Sequence, residues 1–402
     1  MNNMRTMKFV ATLLVVIYYV DGQLLLPPSI RNVAQRFGGN VGPSGFGVRG
    51  GIGGLEGSLN IGGASGEGGS LDVGAGGGKH EVLEESLEQQ FGNFKQLFNK
   101  VYGSVEEELH RKEIFIENLS KIKRTNDEYA QGLRGFVAKI NPFADLTFHE
   151  FFNQLNGFNR SSHNARNREM KPTTFIPPAN VIFPETVDWR EVGAVGAVQY
   201  QGKCAGCWAF AAAGALEGHH YRKTGQLVDV SEQNLIDCTL PYGNSGCNGG
   251  LMTPAYEYVR DNDGVDSEQS YPYEERTGEC RFKRENVVLT CTGYVEIPVG
   301  DERALEIAVG TIGPVSVGID AGKATFQFYS DGIYDEQTCN NGADDVNHAV
   351  LVVGYGREAD GRQYWIVKNS YGPQWGIGGY MKLAKNAGNR CGIASKASYP
   401  LV

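Results

Sequence analysis

One decapeptide, Gln201-Gly-Lys-Cys-Ala-Gly-Cys-Trp-Ala-Phe210, constrains this chain more than any other segment. It sets Cys207 at the head of a stretch rich in Ala, Leu and Glu, Ala209 to Arg222, which predicts a helix. A thiol at a helix N-terminus feels unpaired backbone N–H groups and the positive end of the dipole. Both favour thiolate, the nucleophilic form. Gln201, six residues upstream, offers an amide donor that can bind an oxyanion. A nucleophile and an oxyanion donor on one short segment point to acyl transfer.

Such a thiolate needs a base or an imidazolium partner. After residue 180 the chain has His219, His220 and His348 only. The first two follow Cys207 on the same predicted helix, roughly 18 Å away at about 1.5 Å per residue, too far to share a proton. His348 opens an apolar, β-branched run, His348 to Val353, which reads as a buried strand. Asn369 ends another short strand and can fix the imidazole tautomer. A Cys-x-x-Cys pair also suggests redox or zinc chemistry. The redox motif carries Trp before its first Cys, whereas Trp208 follows the second, and a second short-spaced ligand pair for zinc is absent. A lone His is most often a satisfied core residue; with Cys207 and Asn369 in order, that reading loses ground.

The order Cys207, His348, Asn369 resembles the papain-like cysteine proteases, with the cathepsin L group closest in pattern. The resemblance runs over roughly residues 85 to 402. It implies an α+β fold of two lobes, one helical and one a β-barrel, with the active site in the cleft between them. Cys207 would be the nucleophile, His348 its proton carrier, Asn369 the orienting group and Gln201 an oxyanion donor. Gly249 and Gly250 would bind extended substrate through their backbone. Leu251, Met252, Gly318, Ala349 and Lys396 would line the main specificity pocket, and Trp375 would also contact substrate. The implied disulfides are Cys204–Cys247, Cys238–Cys280 and Cys339–Cys391. That leaves Cys291 as a buried free thiol or an intermolecular link. Without an inserted loop between Cys247 and Cys280, an endopeptidase is expected. Neither cofactor nor metal is implied.

Four departures from the family pattern stand out. Ala205-Gly206 replaces Gly-Ser; were residue 205 left-handed, Ala would cost about 1 kcal/mol. Tyr371 replaces a Trp that shields the Asn–His bond and should leave that bond wetter. Asn347 replaces an Asp beside the histidine, which should alter the pH profile. Lys396 replaces a small residue at the pocket floor; its stem can lie on the wall with the ammonium in water, or it can favour an acidic side chain.

Four regions divide the chain. Residues 1–22 read as a secretory signal, with Arg5 and Lys8 before an apolar core, Phe9 to Val20. Residues 23–80 contain a tract, Gly38 to Gly78, that is nearly half Gly. Such a composition cannot offset its backbone entropy by burial, so an unstructured linker is expected, with a self-associating Gly-rich segment as the alternative. Residues 81–182 read as an inhibitory propeptide. Phe91, Phe94, Leu97, Phe98 and Val101 form an amphipathic stripe. Glu107, Arg111, Phe115, Asn118, Ile122 and Asn126 share one helix face and match the family's propeptide motif, with Glu107 and Arg111 able to pair. Asn141-Pro-Phe143-Ala-Asp145 matches a second propeptide block, and 156–182 reads as a cleavable linker. Residues 183–402 would be the peptidase.

The expected product is a latent zymogen of the secretory pathway, lysosomal or extracellular, activated by acid. Sequons at Asn118 and Asn159 fit glycosylation, and eight Cys fit an oxidising compartment. Partners would be peptide or protein substrates and the chain's own propeptide. A net charge of −9 gives no reason to invoke nucleic acid. No membrane association is expected, and a monomer is. The rival reading is a secreted Gly-rich structural or binding protein carrying an inactive protease-like lobe.

Overall fold

The computed structural model describes residues 78–158 and 173–402, with short strands at 18–20, 23–25, 40–42, 45–49 and 58–60. Most of the expected signal and Gly-rich regions, and Asn159, lie outside the described residues. Residues 1–77 and 78–402 form separate units. In the first, β1 (Tyr18–Val20) pairs with β2 (Gln23–Leu25), while β3 (Asn40–Gly42), β4 (Gly45–Arg49) and β5 (Ser58–Asn60) form an antiparallel sheet. In register, Val41 lies opposite Phe46 and Val48 opposite Leu59.

The second unit begins with α1 (Gly78–Leu97) and α2 (Val105–Ala130), which share a small core of Phe91, Phe94, Phe115 and Ile122. Leu97 and Val101 of the expected stripe are exposed, because α1 stops at Leu97 and Asn99 turns left-handed (φ 50°). Ser104 caps α2 by accepting the Glu107 N–H at 3.2 Å. Arg111 does not pair with Glu107. It binds both Glu150 carboxylate oxygens at 2.9 Å, and that carboxylate closes a capping box on α3 (Phe148–Leu155). Asn118 is fully buried and donates to the carbonyls of Ala144 and Leu146 at 2.9 Å. Its role is structural, and its sequon is closed to glycosylation in the folded chain.

The remaining elements make two cores, and β14 (His348–Arg357) contributes side chains to both. Alternate side chains along a strand face opposite sides. Ala349, Leu351 and Val353 join the helical core, whereas Val350 and Val352 join the sheet core. The helical core surrounds α4 (Cys207–Thr224), whose Ala and Gly run lets it lie close to β14. A Cβ at Gly214 would come 2.8 Å from Leu351. α5 (Glu232–Cys238) and α6 (Met252–Asp261) complete that lobe.

The sheet lobe is an open path of strands rather than the closed barrel expected. Its inner members are β13 (Tyr329–Tyr334), β16 (Tyr380–Ala384), β15 (Gln363–Lys368), β14, β12 (Val315–Ile319), β17 (Ala397–Pro400) and β11 (Tyr294–Glu296). Its two ends are β6 (Phe136–Ala138) on β13 and β7 (Thr173–Thr174) on β11; β8 (Val187–Asp188) pairs with β14 off this path, and β9 (Val265–Asp266) pairs with β10 (Val287–Leu289) separately. Both end strands come from the region before residue 183. They satisfy the ladder groups that an edge strand would leave bare.

Candidate active site

Cys207 is the first residue of α4, and Gly206 ahead of it provides no side-chain cap. The Cys204–Cys247 disulfide ties down the preceding turn. The buried sulfur accepts the Ala349 N–H at 3.4 Å, which sets it beside the residue following His348. Burial pushes the thiol up to about 11, against the pull of the backbone N–H groups of Ala349, Gly157, Trp208 and Cys207 itself.

His348 begins β14, and Asn369 follows β15. The register pairs Leu351 with Lys368, so the neighbouring strands bring the two residues together at one end. His348 Nε2 lies 2.9 Å from Asn369 Oδ1, which also accepts the Ser370 N–H at 2.8 Å. An oxygen accepting from both sides requires the proton on Nε2 and leaves Nδ1 as the basic position. Burial pulls the imidazole down to about 4, although Asn369 and the Leu155 carbonyl act in the other direction. Tyr371 stands over the ring at 4.8 Å, with its hydroxyl 3.4 Å from Nδ1. The wetter Asn369–His348 bond expected from Tyr371 does not occur here: all three residues are buried, and Phe151 and Phe326 flank the tyrosine edge-on. Ala205 is absent from the left-handed residues, so the strain considered for it does not arise.

Gln201 spans the cleft floor. Its Nε2 donates to the carbonyls of Cys204 and Leu155, both at 2.9 Å, and its Oε1 accepts the Ser370 hydroxyl at 2.7 Å. Leu155 belongs to the region before residue 183, so that segment occupies the amide expected to face an oxyanion. The chain continues through the cleft. Gly250 N donates to the Gly157 carbonyl at 2.8 Å, and Phe158 N donates to the Asn347 carbonyl at 3.1 Å. Residue 157 must be Gly, because a Cβ there would meet the Ala205 carbonyl oxygen at 1.7 Å. Phe158 packs in one buried cluster with Leu251 and Met252, and with them and Lys396 it lines a pocket. Its ring tip lies 3.2 Å from where a Cβ on Gly318 would sit, and Ala349 shares its core. Residues 156–158 therefore seat in the cleft rather than beginning a free linker.

Gly249, left-handed at φ 120°, precedes the Gly250 contact and has none to this segment. Trp375 is fully buried in the proform, 5.6 Å from the Tyr371 ring, with its indole N–H donating to the Phe326 carbonyl. His219 is a core residue, stacked on Tyr399 and 3.0 Å from the Pro314 carbonyl oxygen.

The disulfides are Cys204–Cys247, Cys238–Cys280 and Cys339–Cys391. Cys291 is a buried free thiol donating to the Tyr256 carbonyl at 3.3 Å. Residues 183–401 match the papain family of cysteine proteases. The chain belongs to that family. Residues 91–151 match the cathepsin propeptide inhibitor domain, so the protease is made with an inhibitory propeptide, as a zymogen.

Relatives extend the likeness across the propeptide and peptidase together. A cathepsin L-like peptidase of Aedes aegypti is 48% identical over 323 residues, covering 80% of this chain and 95% of its own. Cathepsin L1 of Drosophila melanogaster is 49% identical over 317 residues, covering 78% and 85%. Among solved structures, digestive procathepsin L 3 of Tenebrio molitor larval midgut superposes with a TM-score of 0.72 at 41% identity, covering 79% of this chain and 99% of its own. The chain is therefore a papain-like cysteine endopeptidase.

Residue composition alone did not reveal the Leu155–Phe158 plug. Its one sequence signal is Gly157 set between a polar and an aromatic residue. The Ser370 brace on Gln201 carried no signal at all.

Proposed function

We propose that this chain is a secretory-pathway endopeptidase, held latent by residues 155–158 and released by acid. The carrying observation is the Leu155 carbonyl on Gln201 Nε2 at 2.9 Å. It supports a reading in which an inhibitory carbonyl takes the position of a substrate's oxyanion.

In the proform, burial keeps the thiol and the imidazole both neutral. Removing the plug hydrates both groups and lets the proton move from Cys207 to His348. An unassisted thiol is only roughly 0.1% thiolate at pH 5.5, so the ion pair supplies most of the nucleophile. Cys207 Sγ then attacks the peptide carbonyl carbon, and Gln201 Nε2 with the Cys207 N–H holds the oxyanion. His348 gives its proton to the departing amine as the C–N bond breaks. Water, deprotonated by His348, cleaves the thioester and restores the thiol. Asn369 holds the ring through Nε2. Gly250 holds extended substrate, and the pocket around Phe158 takes an apolar or aromatic side chain.

Acid-treated full-length protein should cleave peptides and take up a thiol-directed active-site label, with Cys207→Ala doing neither. Cleavage or labelling that survives this substitution refutes the assignment. Eight cysteines with three disulfides and the signal-like N-terminus support the secretory route, with lysosome or exterior as its end.

A further inference from the structure

Beside the cleft centre, two departures from the family pattern meet on one side chain of the plug. Tyr371 Oη donates to Asn156 Oδ1 at 2.9 Å. Asn156 Nδ2 donates to Asn347 Oδ1 at 3.1 Å. The carboxamide is read at both of its ends, by one donor and one acceptor.

The acceptor is locked in that sense. Asn347 Nδ2 donates to Asp320 Oδ1 at 2.9 Å and to the Asp345 carbonyl at 3.2 Å. Its Oδ1 accepts the Ala321 N–H at 3.0 Å. Reversing the amide would set its NH2 against that N–H and its oxygen against a carboxylate, so only the oxygen can face Asn156. Tyr371 is held on the peptidase side by Phe326 and Trp375, which stay when the propeptide rings Phe143 and Phe151 leave.

The position of this pair along the cleft follows from the plug. Gly157 and Phe158 lie on the Gly250 side, while Leu155 and Asn156 lie toward Gln201 and His348. If Gly250 and the Phe158 pocket hold the acyl part of a substrate, Tyr371 and Asn347 face the leaving-amine part.

We infer that Tyr371 and Asn347 form a carboxamide-selective subsite favouring substrates with Asn or Gln just after the scissile bond. The inference rests on the protease reading above. A carboxylate satisfies the tyrosine but meets the Asn347 oxygen with a second oxygen. An aliphatic side chain offers no partner to the Tyr371 hydroxyl or to the half-buried Asn347 amide, and that mismatch is what discriminates.

The test uses acid-matured enzyme and matched peptides carrying Phe for the apolar pocket. The residue after the scissile bond is varied among Asn, Gln, Leu and Asp. The expected kcat/KM for Asn or Gln exceeds that for Leu or Asp by roughly tenfold, the size of two neutral hydrogen bonds made or lost. Tyr371→Phe should bring the Asn/Leu ratio down severalfold. Asn347→Asp should keep the preference for Asn and widen the Asn/Asp contrast, because its carboxylate still accepts the amide and repels a substrate carboxylate. Active enzyme with a flat profile, or a ratio unmoved in Tyr371→Phe, overturns the subsite and leaves the protease reading intact. Failure of every peptide, together with no label on Cys207, overturns the protease reading instead.

Discussion

The buried carboxylates of the helical lobe and the anchoring carboxylates of the propeptide respond to protons in opposite senses. In the helical lobe, burial raises Glu217 and Glu232 above the usual carboxylate range and takes Glu268 to about 7. Both Glu232 side-chain oxygens lack a hydrogen-bond partner. In the propeptide, burial also opposes ionisation of Glu150, but the Thr147 N–H and Arg111 outweigh it and hold Glu150 low. Glu336 on the enzyme is likewise held low against its burial, by Arg134 of the propeptide and by Thr338.

A carboxyl raised on folding binds protons more tightly in the folded state. Its contribution is complete below the unfolded value and is lost as pH rises through the folded one. A depressed carboxyl contributes above the unfolded value, near 4.3, and loses its contribution as pH falls through the folded one. Acid therefore favours the enzyme lobe while loosening its inhibitor. Covalent structure follows the same division: all three disulfides lie between Cys204 and Cys391, and none lies in the described propeptide. The propeptide relies on polar clamps such as Asn126 on Ala138 and Lys100 on Asp145.

Several substitutions would break or sharpen this contrast. Replacing Cys238 and Cys280 by Ala should cost the enzyme lobe about 4 kcal/mol, given their separation of 42 residues, read as a fall in the Tm of matured enzyme. An unchanged Tm would remove the covalent half of the contrast. Gly157→Ala should expel the plug through its clash with Ala205, a cost of about 1–3 kcal/mol. Unprocessed protein should then label at Cys207 near neutral pH, and continued protection would show that the plug tolerates a side chain. Glu232→Gln should stabilise matured enzyme by about 1 kcal/mol at pH 8 and change little at pH 4.5. A uniform effect at both pH values would deny the raised carboxyl its role. Glu336→Gln removes the charge that Arg134 needs and should move the midpoint of acid maturation upward by a fraction of a pH unit. Glu150→Gln should do the same, more weakly. A midpoint unmoved in both would place the acid trigger elsewhere.

Much of this arrangement was legible in the sequence. That Cys207 heads a helix and His348 opens a strand was readable in the pattern, and the scarcity of histidines singled out His348. Less visible were contacts that depend on the path of the chain. Arg111 seemed placed for Glu107 one turn away, yet it reaches Glu150 across a loop. Asn118 scanned as a sugar acceptor, whereas folding spends its amide on two carbonyls. Trp375 is buried beside Tyr371 in the proform, a placement that spacing alone does not give.

Phe328 of the peptidase lies inside the core that α1 and α2 build around Phe91 and Phe115. The inhibitor thus borrows one ring from the enzyme it restrains. Cut loose, that helical pair loses an interior residue and becomes less able to refold and return as a competitor, so maturation gains a direction. Any change at residue 328 would alter restraint from outside the groove, binding the histories of the two parts to each other.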